Sequence, residues 1–134
     1  MAGVLVDSNV LLDILTEDPI WFNWSAEKLA AMAESFVLMI NPIIYSEVSV
    51  GFKNIEELER CLPADAFVRQ SLPWEAAFLA GKCYVAYRRS GGVRRSPLPD
   101  FYIGAHAAVA GLTLLTRDVS RYQTYFPTLK LIAP

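Results

Sequence analysis

The sequence has little of the chemistry on which several large enzyme classes depend. Its 134 residues contain one histidine, His106, and two cysteines, Cys61 and Cys83. No Ser/His/Asp or Cys/His catalytic arrangement can be built convincingly around a single histidine. The two cysteines lack both a CxxC pattern and metal-ligand spacing, so we interpret them as reduced thiols of a cytoplasmic protein. These absences argue against catalysis by a serine or cysteine nucleophile and against a zinc site.

Long apolar runs and an excess of positive charge are also missing. No run is long enough to span a bilayer, and Asp7 interrupts the first apolar stretch, so we expect no membrane segment and no signal peptide. The formal net charge of −2 and a pI near 5.3 exclude a global basic field that would attract nucleic acid. Hydrophobic residues are nevertheless abundant, at 54%. A domain this small cannot bury all of them, so some apolar surface is expected to meet a partner or a second copy.

Short apolar runs predict the fold. They alternate with helical patterns and show no polar alternation of their own, which is typical of a parallel sheet covered by helices on both faces. We therefore predict a single α/β domain over residues 1–134, with a central parallel sheet of about four to five strands. The strands are expected at residues 3–6, 36–40, 112–115 and 129–132, with a weaker candidate at 67–72.

Two residue pairs and one aspartate predict where helices begin. Asp18-Pro19 and Asn41-Pro42 each place a capping residue before a proline suited to the first helical turn. Asp100 is predicted to cap a helix over residues 101–110, which Gly111 would end.

Four widely separated acids lie where these elements end or turn. They are Asp7 in VLVDSN, Glu47 in NPIIYSEV, Asp100 in LPDFYIGAHA and Asp118 in TLLTRD. Ligands in parallel α/β folds gather beyond the carboxyl ends of the strands, so all four can converge on one edge of the sheet. Carboxylates brought together repel each other unless protons or a cation neutralise them. Oxygen-only ligands favour a hard ion, Mg²⁺ or Mn²⁺, and such ions commonly act on phosphates.

Each acid also has a simpler interpretation. Asp7, Asp100 and Asp118 can be helix caps, since aspartate is common at that position. Glu47 can lie on the exposed face of an amphipathic helix. The four together, in this order, are much more specific than any one of them.

Polar and basic neighbours extend the candidate site. Ser8, Asn9 and Thr116 flank the acids and offer oxygens or an amide to a water or a phosphate, although cap and turn roles are equally open. Six arginines in the C-terminal part of the chain can form a cationic rim for a nucleic-acid backbone, or merely a solvated surface. They are Arg88, Arg89, Arg94, Arg95, Arg117 and Arg121.

With these four motifs in order, the chain resembles the PIN-domain family, and within it the VapC-type toxins of bacterial toxin–antitoxin pairs. The resemblance covers essentially the whole chain. It implies an α/β fold and an acidic quartet at Asp7, Glu47, Asp100 and Asp118, with Ser8 in the hydroxyl position after the first acid. It further implies a Mg²⁺-dependent endoribonuclease, commonly a homodimer, inhibited by a cognate antitoxin that inserts a segment into the acidic groove. Some relatives carry another acid where this chain has Arg121, which makes a second metal ion less secure.

Two other classes remain as alternatives. One is a catalytically weak PIN-like module that binds RNA or a protein without cutting. The other is a phosphoaspartyl switch or phosphatase, which also uses Mg²⁺ and acids at strand ends. Asp7-Ser8-Asn9 lacks the second acid of a DxD phosphatase, and Arg117-Asp118 stands where a receiver-type switch would have lysine.

Overall fold

Five short strands form one sheet. The computed structural model describes residues 2–92 and 98–134. Within them the sheet order is β3-β2-β1-β4-β5, and every neighbouring pair is parallel. The strands are β1 (Gly3–Val6), β2 (Val37–Ile40), β3 (Val68–Arg69), β4 (Thr113–Leu115) and β5 (Leu131–Ile132). The prediction of a parallel α/β fold is confirmed.

Seven helices connect the strands in the described part of the chain. They are α1 (Ser8–Leu15), α2 (Phe22–Ser35), α3 (Pro42–Ser49), α4 (Ile55–Cys61), α5 (Trp74–Arg89), α6 (Leu98–Ala110) and α7 (Val119–Tyr125). The chain passes from β1 to β2 and then to β3 in one direction across the sheet. It then crosses to β4 and continues to β5 in the opposite direction. Right-handed crossovers therefore place α1 to α4 on one face and α5 to α7 on the opposite face.

The central strand is the apolar centre of the molecule. Val4, Leu5 and Val6 of β1 are completely buried, because helices cover both faces of the strand. Their partners on either side, Leu38 of β2 and Leu114 of β4, are buried as well. An uninterrupted apolar run is what such a doubly covered strand requires, and it explains why the short sequence GVLV forms β1.

The Asn41 side chain caps the start of α3 and forms a hydrogen bond to α6. The Asn41 side-chain oxygen accepts a hydrogen bond from the Ile44 backbone N–H at 2.9 Å, and Pro42 occupies the first turn, as predicted. The Asn41 amide also lies 3.0 Å from Nδ1 of the buried His106 on α6. His106 thus serves as a packed, hydrogen-bonded residue between two helices.

Two predicted helix starts differ from the structure. Asp18 accepts hydrogen bonds from the backbone N–H groups of Ile20 and Trp21, both at 2.9 Å, and so closes a turn; α2 begins only at Phe22. Asp100 lies inside the first turn of α6, which already begins at Leu98, so it is not the cap of that helix. An acid in a first turn is still favoured by the partial positive charge of the helix N-terminus.

The strand order creates a switch point between β1 and β4, where the connections change direction. Such a point leaves a crevice at the carboxyl ends of the strands. Asp7 follows β1 directly, and its backbone N–H donates to the Leu115 carbonyl at 2.9 Å. Thr116 follows β4 in the same way and donates to the Ile132 carbonyl at 3.0 Å. Residues of the first and last acidic motifs therefore meet at this crevice.

No helix in residues 2–92 and 98–134 combines the length and apolar character needed to cross a membrane. Both cysteines are free; Cys83 is buried and Cys61 is exposed.

Gly104 of α6 marks the closest packing of α6 against the chain that follows α7. A Cβ atom at Gly104 would lie 2.4 Å from the buried ring of Phe126. We predict that Gly104→Ala lowers the free energy of unfolding by about 1–3 kcal/mol, because the overpacking outweighs the gain in helix propensity. Urea denaturation measures the change.

Gly81→Ala is the matched control. Gly81 lies on the exposed side of α5, and an added Cβ would meet none of the described residues within 4 Å. It should raise the free energy of unfolding by about 0.5–1 kcal/mol. Equal effects of the two substitutions would show that α6 is not packed as described.

Candidate active site

Asp7 is the most buried of the four acids, with 2% of its surface exposed. Its Oδ2 atom accepts hydrogen bonds from the hydroxyls of Thr116 at 2.8 Å and Tyr122 at 2.9 Å, with the Asn9 amide at 3.4 Å. Its Oδ1 atom has a single long contact among the described residues, 3.4 Å from the Ser8 hydroxyl. One oxygen of Asp7 is thus held by several donors, while the other is held only loosely by the described residues.

Glu47 reaches the same place from α3. It is half-buried, and its Oε1 atom accepts a hydrogen bond from the Ser8 hydroxyl at 2.8 Å. The Ser8 hydroxyl therefore bridges Asp7 and Glu47, which lie 40 residues apart in the sequence. Glu47 faces the acids and is not a solvated residue on the outer face of an amphipathic helix.

Asp100 and Asp118 complete the acidic region from α6 and α7. The Arg121 Nη1 atom donates to Asp100 Oδ2 at 2.6 Å. Asp118 is the N-cap of α7, and its Oδ1 atom lies 3.5 Å from the Arg121 backbone nitrogen. Its own backbone N–H donates to the Thr116 hydroxyl at 3.0 Å. Asp118 is therefore a helix cap and a neighbour of the other acids at the same time.

The electrostatics show that the four carboxylates share one region. Burial, first, and then the charges of Asp100 and Glu47 raise the pKa of Asp7 from 3.8 to about 6. Burial and the charge of Asp100 likewise raise the pKa of Glu47. Burial also raises the pKa of Asp100, where Asp118 adds to the effect and Arg121 opposes it. Each acid makes ionisation of another harder, and such a site favours cations.

The oxygen donors at the site fit a hard divalent ion, but the geometry does not define which side chains would bind it. The four acids and the neighbouring Ser8, Asn9 and Thr116 all offer side-chain oxygen, which Mg²⁺ and Mn²⁺ prefer. No three histidine, cysteine or acidic side chains within residues 2–92 and 98–134 are arranged closely enough to chelate an ion. The residues thus supply the right atoms and charge, and side-chain movement would be needed to bring them onto one ion.

The three predicted polar neighbours all lie at the site. Thr116 is fully buried; its hydroxyl donates to Asp7 and lies 3.3 Å from the Asn9 amide nitrogen. Asn9 also accepts the Arg117 backbone N–H at 3.2 Å. Together with Ser8, these residues hold the acids in place, and a direct role toward water or phosphate stays a prediction.

Tyr122 is a site residue that sequence reasoning missed. It is completely buried, and its hydroxyl donates to Asp7 Oδ2 at 2.9 Å. Burial, followed by the charges of Asp7 and Asp100, raises the pKa of Tyr122 well above 10, so the hydroxyl remains protonated and available as a donor. Its position four residues after Asp118, on the same helical face, is the pattern that could have indicated it.

Asp13 is the second residue that was missed. It is buried on α1 and accepts two hydrogen bonds from the Arg117 guanidinium, at 2.7 and 2.8 Å, and one from the Ser25 hydroxyl at 2.7 Å. The Arg117 guanidinium also lies 5.3 Å from the ring centroid of Trp21. This ion pair fixes the segment that carries Thr116 and Asp118. The sequence pattern that could have indicated Asp13 is an acid within the apolar run LLDIL.

The six predicted RNA-binding arginines have different environments. Arg117 is paired with Asp13, and Arg121 with Asp100. Arg88 and Arg89 are exposed at the C-terminal end of α5. Arg94 and Arg95 lie outside the described residues. RNA contact by any of the six stays a prediction.

Comparisons with known proteins agree with this geometry. A sequence model described as the PIN domain matches residues 4–126. A search of curated proteins finds no match.

Similar solved structures include VapBC2 from Rickettsia felis bound to a DNA fragment from their promoter, with a TM-score of 0.73, 18% identity and 98% of each chain covered. VapBC-1 from nontypeable Haemophilus influenzae gives a TM-score of 0.72 at 19% identity, covering 98% of this chain and 97% of that one. A toxin–antitoxin complex from Klebsiella pneumoniae gives 0.67 at 24% identity, covering 96% and 95%. At these identities the likeness establishes the fold.

The raised pKa of Asp7 predicts a stability effect that depends on pH. The folded protein keeps the Asp7 proton up to about pH 6, whereas the unfolded chain loses it near 3.8. The ionised carboxylate therefore destabilises the metal-free fold, from zero below pH 3.8 to its full value above pH 6. At about 1.4 kcal/mol per pKa unit, the full cost is about 3 kcal/mol. Asp7→Asn should remove this cost.

Urea unfolding in excess chelator tests this prediction. At pH 7 the Asp7→Asn variant should be more stable than the wild type by up to about 3 kcal/mol. The gain should shrink as the pH falls toward 4, where the wild-type carboxyl is protonated in both states. A gain that does not depend on pH, or a less stable variant at pH 7, would contradict the assignment of a strained, buried carboxylate.

Proposed function

The chain belongs to the PIN domain family, whose sequence model matches residues 4–126, and on this premise we propose that it is a Mg²⁺-dependent endoribonuclease. The reaction hydrolyses RNA phosphodiester bonds, and Mn²⁺ can replace Mg²⁺ in it. The protein would be the toxin component of a toxin–antitoxin pair, with residues 1–134 acting as one domain. The observation that carries the proposal is the meeting of Asp7, Glu47, Asp100 and Asp118 at the switch point of the sheet, where burial and the charge of neighbouring carboxylates raise the pKa of Asp7, Glu47 and Asp100.

Asp7 and Asp100 are the proposed principal ligands of the ion, with Asp118 binding it directly or through water. Asp7 suits this role because donors hold its Oδ2 atom while Oδ1 has one long contact. When bound, a hard divalent ion offsets the carboxylate charge, polarises a phosphate oxygen and lowers the pKa of a water. Charge balance also matters for RNA, because the protein itself carries −2.

Glu47 is the proposed residue for orienting the attacking water. Its carboxylate is half-buried, accepts the Ser8 hydroxyl and has a raised pKa through burial and the charge of Asp100. A carboxylate with a raised pKa is a better proton acceptor near neutral pH. Thr116 and Tyr122 serve the reaction indirectly, by holding Asp7 in one orientation.

Exposed arginines are the proposed contacts to the RNA backbone. Arg88 and Arg89 project from the end of α5 and are exposed, and Arg94 and Arg95 follow closely in the sequence. Guanidinium groups bind phosphates bidentately and would offset the negative charge of the protein.

Two protein partners are proposed, a cognate antitoxin and a second copy of the chain. The antitoxin is supported by the fold likeness to structures described as VapBC and as a toxin–antitoxin complex. Apolar residues on α5 support a protein interface, since Trp74 is 88% exposed and Phe78 is 69% exposed.

The free, exposed Cys61 suits the reducing cytoplasm, where we place the protein.

A catalytically weak PIN-like module that binds RNA or protein is the second candidate. The observation that favours it is the pairing of Asp100 with Arg121, together with the absence of a ready-made chelating set within the described residues. A cleavage assay on total RNA, with and without added Mg²⁺ or Mn²⁺, separates the two candidates.

Asp7→Asn should abolish RNA cleavage, because it removes a ligand charge at nearly constant volume. We expect the rate with Mg²⁺ to fall by more than about 100-fold, because changing even the outer-shell partners of metal ligands typically costs about 10- to 100-fold. Asp65→Asn is the matched control, since Asp65 is exposed and distant in sequence from all four motifs. Cleavage that survives in Asp7→Asn, or in excess chelator, would reject the metal-dependent mechanism.

Replacing Arg88 and Arg89 together with glutamine should weaken RNA binding and reduce its dependence on salt. Each phosphate contact to single-stranded RNA contributes about 0.7 to the slope of log K against log salt concentration, so the slope should fall by about 1.4. Binding is measured by fluorescence anisotropy with a labelled RNA. All proteins in this experiment carry Asp7→Asn, so that the RNA is bound but not cleaved. Arg60→Gln, on the exposed side of α4, is the control. An unchanged slope would leave Arg88 and Arg89 as solvated surface residues.

A further inference from the structure

Arg121 supplies a positive charge inside the acidic region. Its Nη1 atom lies 2.6 Å from Asp100 Oδ2, and both side chains are partly buried, with 32% and 27% of their surface exposed. Its backbone nitrogen lies 3.5 Å from Asp118 Oδ1. A contact of this length between a guanidinium and a carboxylate is a charge-assisted hydrogen bond. Arg121 thus lies between two of the four acids.

Asp118 and the first turn of α7 put Arg121 in this position. Asp118 caps α7, and Arg121 is the third residue of that helix. Because α7 directly follows the last acidic motif, a side chain at this position is carried into the crevice beside Asp100. Tyr122, the next residue, enters the same region and contacts Asp7. The helix therefore delivers one hydrogen-bond donor to each of two acids.

Arg117, the other arginine of this segment, cannot take the same role. Its Nε and Nη2 atoms donate to the two carboxylate oxygens of Asp13, at 2.7 and 2.8 Å, and its guanidinium lies over the ring of Trp21. The Asp13 pair belongs to the junction of α1 and α2, and Asp13 is not one of the four acids. Within the described part of the chain, Arg121 is the guanidinium that pairs with a member of the acidic quartet.

Pairing with Arg121 has a direct consequence for cation binding. The guanidinium occupies Asp100 Oδ2, and no three acids of the described residues form a chelating group. A divalent ion that uses Asp100 would have to share this carboxylate with a positive charge, or the guanidinium would have to leave. Either event makes binding of the ion less favourable than it would be at an unpaired Asp100.

We propose that Arg121 is an internal counter-cation, which neutralises Asp100 in the metal-free protein and competes with the divalent ion for this carboxylate. The inference rests on the proposed metal-dependent function and deepens it. Arg121 then determines how tightly the site binds its ion, and ion binding is accompanied by movement of the guanidinium away from Asp100. Since the pair is partly exposed, it is weak enough to be exchanged.

Affinity for Mn²⁺ alone, without RNA, tests the proposal. Arg121→Gln and Arg121→Met remove the competing charge and keep a side chain of similar length. Both should bind Mn²⁺ more tightly than the wild type, by up to about 5-fold, which is the upper limit for the loss of a partly exposed ion pair. Isothermal titration calorimetry on the full chain, with the signal of free Mn²⁺ in electron paramagnetic resonance as a second readout, gives the affinity.

Arg69→Gln is the matched control. Arg69 also forms a single ion pair of 2.7 Å, with Glu59, and is 41% exposed, but this pair does not include any of the four acids. The substitution changes the net charge equally. Unchanged or weaker Mn²⁺ binding by the Arg121 variants would overturn the proposal, and so would an equal gain in Arg69→Gln, because net charge alone would then explain the effect.

A measurement on the wild type keeps the proposal testable if the Arg121 variants do not fold. The NMR resonances of the Arg121 guanidinium should shift on titration with Mg²⁺, as the contact with Asp100 breaks. Resonances that stay unchanged when Mg²⁺ binding is saturated would overturn the proposal. RNA cleavage is a separate outcome: tighter Mn²⁺ binding by the variants in a protein that never cleaves RNA would support the competition and reject the nuclease.

Discussion

Repulsion between carboxylates at the carboxyl edge of the sheet is the constraint on which the rest of the site depends. Asp7 follows the most buried strand of the protein, and it has little access to water that could stabilise its charge. This burial is the largest cause that raises the pKa of Asp7, and the negative charges of Asp100 and Glu47 add to it, so that the pKa reaches about 6. An arrangement that costs stability in the free protein is expected at a functional site, where a bound cation relieves it.

The surrounding fold tolerates this charge by supplying donors from several elements. Thr116 after β4 and Tyr122 on α7 hold the Asp7 carboxylate, while Ser8 on α1 lies between Asp7 and Glu47. Arg121 neutralises part of the remaining charge at Asp100. The donors hold the acids in fixed positions, and the single guanidinium does not balance four carboxylates. The side chains of the site are therefore held in place, but the site keeps a net negative charge.

The sequence predicted the parallel sheet well, because the sheet depends on local apolar patterns, whereas the roles of the four acids stay a prediction. Short apolar runs without polar alternation are typical of strands covered on both faces, and acids that directly follow parallel strands lie at one edge of the sheet. Other features depend on contacts between distant residues, which no local pattern encodes. The hydroxyl of Tyr122 reaches Asp7 across 115 residues, and Arg117 pairs with Asp13 across 104. The start of α2 was misplaced because Asp18 can cap an isolated turn as readily as a helix.

Anomalous diffraction from crystals soaked in Mn²⁺ is the most direct test of the central claim, that these acids together form a site for one hard cation. The account predicts an anomalous density peak in contact with both Asp7 and Asp100, because burial and neighbouring carboxylates raise the pKa of both groups and a bound cation relieves this strain. A peak bound elsewhere on the protein, or no peak at these two carboxylates at saturating Mn²⁺, would contradict it.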